Sequence, residues 1–253
     1  MEEQDVLILE EVSKKFCKNL RLSLFYGLVD SFLPPKVFKK QNNSLRKGEF
    51  WAIKNLSFRL KRGDILGVWG KNGAGKTTLM KLISGIYPLS EGKIILNGAV
   101  HQVFAKTTGM NRYYTARQNI YIRCAMHGFN RTETDKILQQ IIEFSELNEF
   151  LNLPLGNYSS GMRARLSFSI LAHLPSDILI ADEALSVGDE AFREKCFHKI
   201  KELAKTRAII YVSHHREALE KICTKLLVLH KGQTTYFGNF STEIFQQLES
   251  NTQ

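Results

Sequence analysis

At 253 residues the chain has enough material for one large domain or two small ones, and 43% apolar with 24% charged residues is globular composition, which excludes a disordered or fibrous chain. No apolar run approaches the roughly 18 residues that cross a bilayer, and the acidic start Met1-Glu2-Glu3-Gln4-Asp5 lacks the basic region of a secretory signal. The net charge of +10 is concentrated: between Lys14 and Lys47 nine basic residues face one acid, Asp30, so the charge belongs to a local surface.

In chain order, Val6 to Leu9 reads as a first strand running out near Lys14-Lys15-Phe16. The basic segment follows, and within it Leu20 to Leu33 predicts an amphipathic helix with Phe25, Leu28, Val29, Phe32 and Leu33 on one face, ended by Pro34-Pro35. Such a basic helix suits a membrane surface or a partner protein, and equally an insertion whose stripe packs on its own domain. Phe50 to Leu60 alternates as a half-buried strand. Ile94 to Val103 predicts a strand pair turning at Asn97-Gly98. A helix is expected from an N-cap at Thr132, another after Gly161 that Pro175 stops, and a third through Phe192, Cys196, Ile200 and Leu203. Ile178 to Ala181 and Ala208 to Ser213 read as buried strands, and Leu226 to His230 with Thr234 to Phe237 as a closing hairpin. Cys17, Cys124, Cys196 and Cys223 form no C-x-x-C, so reduced thiols are expected.

The chemistry centres on Asp64 to Gly85. An apolar strand, Ile65 to Trp69, leads into Gly70-Lys71-Asn72-Gly73-Ala74-Gly75-Lys76-Thr77, which matches G-x-x-x-x-G-K-[ST] without a break, and Thr78 opens a helical pattern that Gly85 and Pro88 end. Glycines at these places let successive backbone N–H groups converge on a phosphate, and the helix N-terminus adds positive potential. Lys76 would reach the β- and γ-phosphates and the Thr77 hydroxyl would ligate Mg²⁺. The residues point to a nucleoside triphosphate site.

Four further clusters follow in an order that resembles the nucleotide-binding subunit of ABC transporters over nearly the whole chain. Tyr158-Ser159-Ser160-Gly161-Met162 is similar to the signature loop in a variant spelling. Ile178 to Glu183 resembles the Walker B strand with its adjacent glutamate, Ser186-Val187-Gly188-Asp189 the D-loop, and Ser213-His214 the switch histidine. The resemblance implies an α/β fold of the P-loop NTPase, ABC type: a mixed sheet core, an antiparallel β subdomain and an inserted helical subdomain. It implies one domain over 1–253, with the core and antiparallel subdomain in 1–100 and 175–253, the basic insertion at 17–50 and the helical subdomain at 101–174.

It also implies roles. ATP is held by Gly70, Asn72, Gly73, Ala74, Gly75, Lys76, Thr77 and Thr78, with Phe16 stacking on adenine or, equally on its residue type, packing in the core. Thr77 and Asp182 take Mg²⁺; Glu183 accepts the proton of the attacking water, and His214 contacts the γ-phosphate with Lys76. Ser159, Ser160, Gly161 and Asp189 act across a head-to-tail homodimer holding two ATP molecules. The family's loop glutamine has no counterpart in Ala105-Lys106-Thr107-Thr108-Gly109, and Gln102 comes several residues early, which departs from the pattern.

The insertion after Phe16, Glu49-Phe50-Trp51-Ala52, Tyr158 to Met162 and Glu183 to Asp189 resemble the polysaccharide exporters, which move O-antigen, capsule or teichoic-acid chains on lipid carriers. That implies an integral membrane permease as partner, a lipid-linked glycan as cargo, the insertion at the membrane surface, and a place on the cytoplasmic face of the plasma membrane. The chain stops soon after the hairpin, so no terminal carbohydrate-reading domain is expected. Nucleic acid is not expected as a partner, although a soluble ABC ATPase acting on ribosomes or nucleic acid is the rival reading, beside a regulatory module without turnover and a small-molecule importer.

Overall fold

The computed structural model describes residues 5–32, 45–103, 110–182, 189–213 and 215–250, without side chains at 31, 32, 102, 103, 182 and 248–250. Among the described residues nine strands fall into two sheets: β1 (Asp5–Cys17), β2 (Glu49–Lys61), β3 (Ile65–Trp69), β4 (Glu91–Leu96), β5 (Val100–Val103), β6 (Ile178–Asp182), β7 (Ala208–Val212), β8 (Lys225–His230) and β9 (Gln233–Asn239). The first sheet is antiparallel, ordered β2-β1-β4; the second is ordered β5-β6-β7-β3-β8-β9 and is parallel except for β9.

The continuous apolar runs now have a cause. Along β6, Leu179 and Ala181 face one core while Ile178 and Ile180 face another; along β7, Ile209 and Tyr211 oppose Ala208, Ile210 and Val212. A parallel sheet covered on both faces needs apolar residues at every position. The first core is closed by α3 (Ala116–Met126), α4 (Arg131–Ser145), α5 (Ser160–His173) and α6 (Glu190–Ala204); the second lies between the two sheets and includes α2 (Lys76–Ile83). Three more helices are α1 (Leu20–Phe32), α7 (Arg216–Ile222) and α8 (Thr242–Ser250).

Two sequence expectations are corrected. The strands around Asn97-Gly98 are not a hairpin: β4 pairs with β1 in the antiparallel sheet, and β5 pairs with β6 in the parallel one. Gly98 (φ +143°) makes the crossing against Asp177, whose carboxylate accepts from Ala99 N at 2.8 Å, so a long-range partner overrides the local turn signal. Helix α4 starts earlier than Thr132, because Asn130 and Glu133 form a reciprocal capping box at 2.9 and 2.8 Å.

The basic insertion does form a helix over Leu20–Phe32, and of the predicted face Phe25 and Leu28 are exposed while Val29 turns inward; the Phe32 side chain and Leu33 lie outside the described residues. Leu22, Tyr26 and Val29 turn inward, with Tyr26 donating to Lys47 O at 3.2 Å and lying under Arg46, which pairs with Asp30 at 2.6 Å. Leu20, Leu24, Phe25 and Leu28 stand 59–75% exposed. The helix is thus anchored by one face, and among the described residues Leu20, Leu24, Phe25 and Leu28 are left open on the other.

At the seam between the parallel sheet and the helices, the His101 ring on β5 lies 4.1 Å from that of His127, which follows α3. Burial, then His127, Arg207 and Arg123, lower the His101 pKa to about 4, and burial chiefly lowers that of His127. A folded pKa below the unfolded value of about 6.5 contributes stability that is complete above that value and lost as the pH falls towards 4. The expected melting temperature at pH 5 is therefore about 3–6 °C below that at pH 7, or about 1–2 kcal/mol, and His101→Gln should flatten this slope in a thermal scan.

Candidate nucleotide site

Residues from both sheets meet at one edge. β3, β6, β7 and β8 are parallel, so their C-terminal ends share the edge where open α/β sheets take ligands. The register sets Val68, Val212 and Asp182 in one row, immediately before the glycine loop and two strands from it. Glu183 and His214, next along β6 and β7, lie outside the described residues, as do Ser186, Val187 and Gly188 and the stretch Ala105 to Gly109.

The loop itself is held tightly. Gly75, the cap of α2, has φ +109°, and a Cβ there would come 2.6 Å from Ala52 O; only glycine fits both the angle and the space. Gly232, in the β8–β9 turn, donates its N–H to Ala74 O at 3.0 Å and accepts from Lys54 N at 2.8 Å, tying the loop to the hairpin and to β2. Lys76 is 8% exposed, and its ammonium donates to Gly70 O and, at 3.1 Å, to Lys71 O, so it spans the mouth of the loop.

A cavity of about 440 Å³ opens over this loop, lined at one end by Gly73, Gly75, Lys76, Thr77 and Thr78 and at the other by Phe16, Phe50, Trp51 and Ala52, with Lys231 on its wall. The Phe16 ring is 5.4 Å edge-on from Tyr87 and 6.3 Å from Phe50, with the Lys14 ammonium 5.1 Å from its centre. Phe16 thus joins the predicted loop residues. Gly70, Asn72 and Ala74 shape the loop without lining the cavity. Phe50, Trp51 and Lys231 were not singled out as lining residues from sequence; the β1–β2 register that pairs Phe16 with Phe50 is the missing signal.

The signature residues stand elsewhere. Ser159 caps α5, accepting from Met162 N at 3.1 Å, and Ser159 and Ser160 are open to solvent. Tyr158 beneath them is 3% exposed and donates to Phe150 O at 2.7 Å; burial pushes its hydroxyl up to about 12. Asp189 caps α6 through Phe192 N at 2.9 Å, and that bond and the Arg165 guanidinium hold its carboxyl below the usual range. None of Ser159, Ser160, Gly161 and Asp189 lines the cavity of its own chain.

A glycine loop between a central parallel strand and a helix, with an acid ending a strand two away, defines a P-loop nucleotide-binding fold. The family model of the ABC transporter matches residues 53–186, and the chain belongs to that family. A teichoic acids export ATP-binding protein TagH from Listeria innocua is 37% identical over 207 residues, 81% of this chain and 61% of the relative. The protein of the same name from Staphylococcus haemolyticus is 40% identical over 211 residues, covering 83% and 76%. The chain thus spans under two thirds of the first relative's length. Among solved structures, the ATP-binding subunit of an ABC transporter superposes with a TM-score of 0.76 at 18% identity over 96% of this chain and 93% of that one. A dimeric ATP-binding cassette bound to ADP and Pi gives 0.73 at 17% identity over 93% and 99%.

Proposed function

We propose that the chain is a single ABC ATPase domain that binds and hydrolyses ATP to power export of a lipid-linked polysaccharide, of the teichoic-acid class, through a separate integral membrane permease. The observation that carries the nucleotide part is the shared cavity: a glycine loop with a buried lysine at one end and the Phe16 ring at the other, which fits a polyphosphate joined to a flat base. The names of the relatives support the cargo class.

In this reading Phe16 stacks on the base, the loop N–H groups and Lys76 hold the phosphates, and Thr78 and Asn72 complete the cradle. Thr77, which lines the cavity, and Asp182, at the end of β6, are of the oxygen-donor type that would hold a magnesium ion, which when bound would offset phosphate charge. Glu183 accepts the proton of the attacking water, and His214 steadies the γ-phosphate. Because Ser159 and Ser160 face solvent, with Gly161 half-buried beside them, their hydroxyl and N–H donors serve the nucleotide of a second copy in a head-to-tail homodimer. The open stripe of α1 and its flanking lysines lie against the anionic cytoplasmic face of the membrane.

The test is made in cells whose only copy carries Lys76→Ala. Lipid-linked glycan is expected to accumulate on the inner leaflet and disappear from the surface, as measured by mass spectrometry and surface labelling. An unchanged surface glycan would sink the export reading.

A further inference from the structure

The cavity over the glycine loop is lined by a second cation besides Lys76, and it comes from the β8–β9 turn. The two strands close at the pair His230 and Gln233, so Lys231 and Gly232 are the whole turn, with φ of +47° and +79°. A two-residue turn with both angles positive favours Asn-Gly, because a side chain such as lysine is strained at its first place. Here that place holds lysine.

The turn is fixed from two sides. Gly232 donates to Ala74 O at 3.0 Å on the glycine loop and accepts from Lys54 N at 2.8 Å on β2. A Cβ on Gly232 would meet Ala52 O at 2.6 Å, and one on Gly75 would lie 3.6 Å from Gly232 Cα. Ala52 belongs to the aromatic end of the cavity and Gly75 to the glycine-loop end, so Lys231 springs from where the two ends join. In a nucleotide laid along that cavity, the group at the junction is the α-phosphate with its ribose. Lys76 is buried, with its ammonium on Gly70 O and Lys71 O at the mouth of the loop. Lys231 is exposed on a flexible stem, and among the described residues no hydrogen bond or ion pair holds its ammonium.

We propose that Lys231 is a nucleotide-binding residue whose ammonium pairs with the α-phosphate, the group that ATP and ADP share. This rests on the nucleotide reading of the cavity given above. The strained turn residue is offset by the anion it holds, and so only when nucleotide is bound.

The test is displacement of a fluorescent ATP analogue from the full chain by ATP, ADP and adenosine. Lys231→Gln is expected to weaken ATP and ADP alike by about fivefold, the scale of a charge pair open to solvent, and to leave adenosine where it was. Lys231→Arg keeps the charge and should recover most of that loss. Lys231→Gly should bind as weakly as Lys231→Gln yet melt no lower than wild type, because glycine takes a positive φ without strain. A residue that merely held the turn together would lose stability along with affinity. Wild-type affinity for ATP in Lys231→Gln, or an equal loss for adenosine, would overturn the proposal. A loss for ATP with none for ADP would also overturn it, since the contact would then lie at the γ-phosphate. A wild-type protein that does not bind the analogue at all would bring down the nucleotide reading itself, and this role with it.

Discussion

Replacing Glu183 by Gln is expected to leave ATP binding intact while slowing turnover by a factor on the order of 10²–10⁴, the contribution of a positioned general base. The amide keeps the shape of the carboxylate and removes its basicity. Asp182 ends β6 in register with Val212 and Val68, at the sheet edge that bears the glycine loop, and Glu183 follows it in the sequence. With hydrolysis blocked, the head-to-tail dimer should persist in ATP and appear as a doubled mass by light scattering. Turnover near that of wild type in a phosphate-release assay would take Glu183 out of this role.

Changing Leu24, Phe25 and Leu28 together to Gln is expected to weaken binding to anionic phosphatidylglycerol vesicles by a factor on the order of 100. Each of these side chains would half-bury in the acyl boundary for about 1 kcal/mol, and three together give that ratio. Since Leu22, Tyr26 and Val29 anchor the opposite face, the variant should keep its melting temperature. A salt titration of the same co-sedimentation isolates the contribution of the exposed Lys18 and Arg21, which ionic screening weakens and apolar insertion does not feel. Undiminished vesicle binding by the triple variant would move the membrane contact off α1.

The parts legible in the sequence are those whose signal is local. The glycine loop, its strand and its helix are contiguous, and Gly75 is required by a backbone angle as well as by the closeness of Ala52. The apolar runs of β6, β7 and β8 were recognisable because a doubly covered sheet asks for no alternation. What failed was what depends on distant partners. Asn97-Gly98 reads as a hairpin turn until Asp177, some eighty residues on, pulls β5 into the other sheet. Thr132 looked like the cap of α4 because the box formed by Asn130 and Glu133 begins two residues earlier with an equally ordinary residue. The stripe of α1 was read from spacing alone, and spacing does not say which face the protein keeps. Phe50 and Trp51 lie in a run whose sequence bears on the subfamily and not on the site, and Lys231 carries no motif; pairing of β1 with β2 and the β8–β9 turn give them their places at the cavity.

The order of the parallel sheet bears on how the protein is made. β3, the strand that delivers the glycine loop, is bonded on one side to β7 and on the other to β8, and Gly232 holds the loop from behind. All three supports come from the last quarter of the described chain, while the loop leaves the ribosome with its first third. At about 5–20 residues per second, the nascent chain waits roughly 10–30 s with a complete motif and no sheet to mount it on. Nucleotide therefore cannot template early folding of this domain, and a chain arrested before Lys225 should emerge with every residue of the phosphate loop and no affinity for ATP.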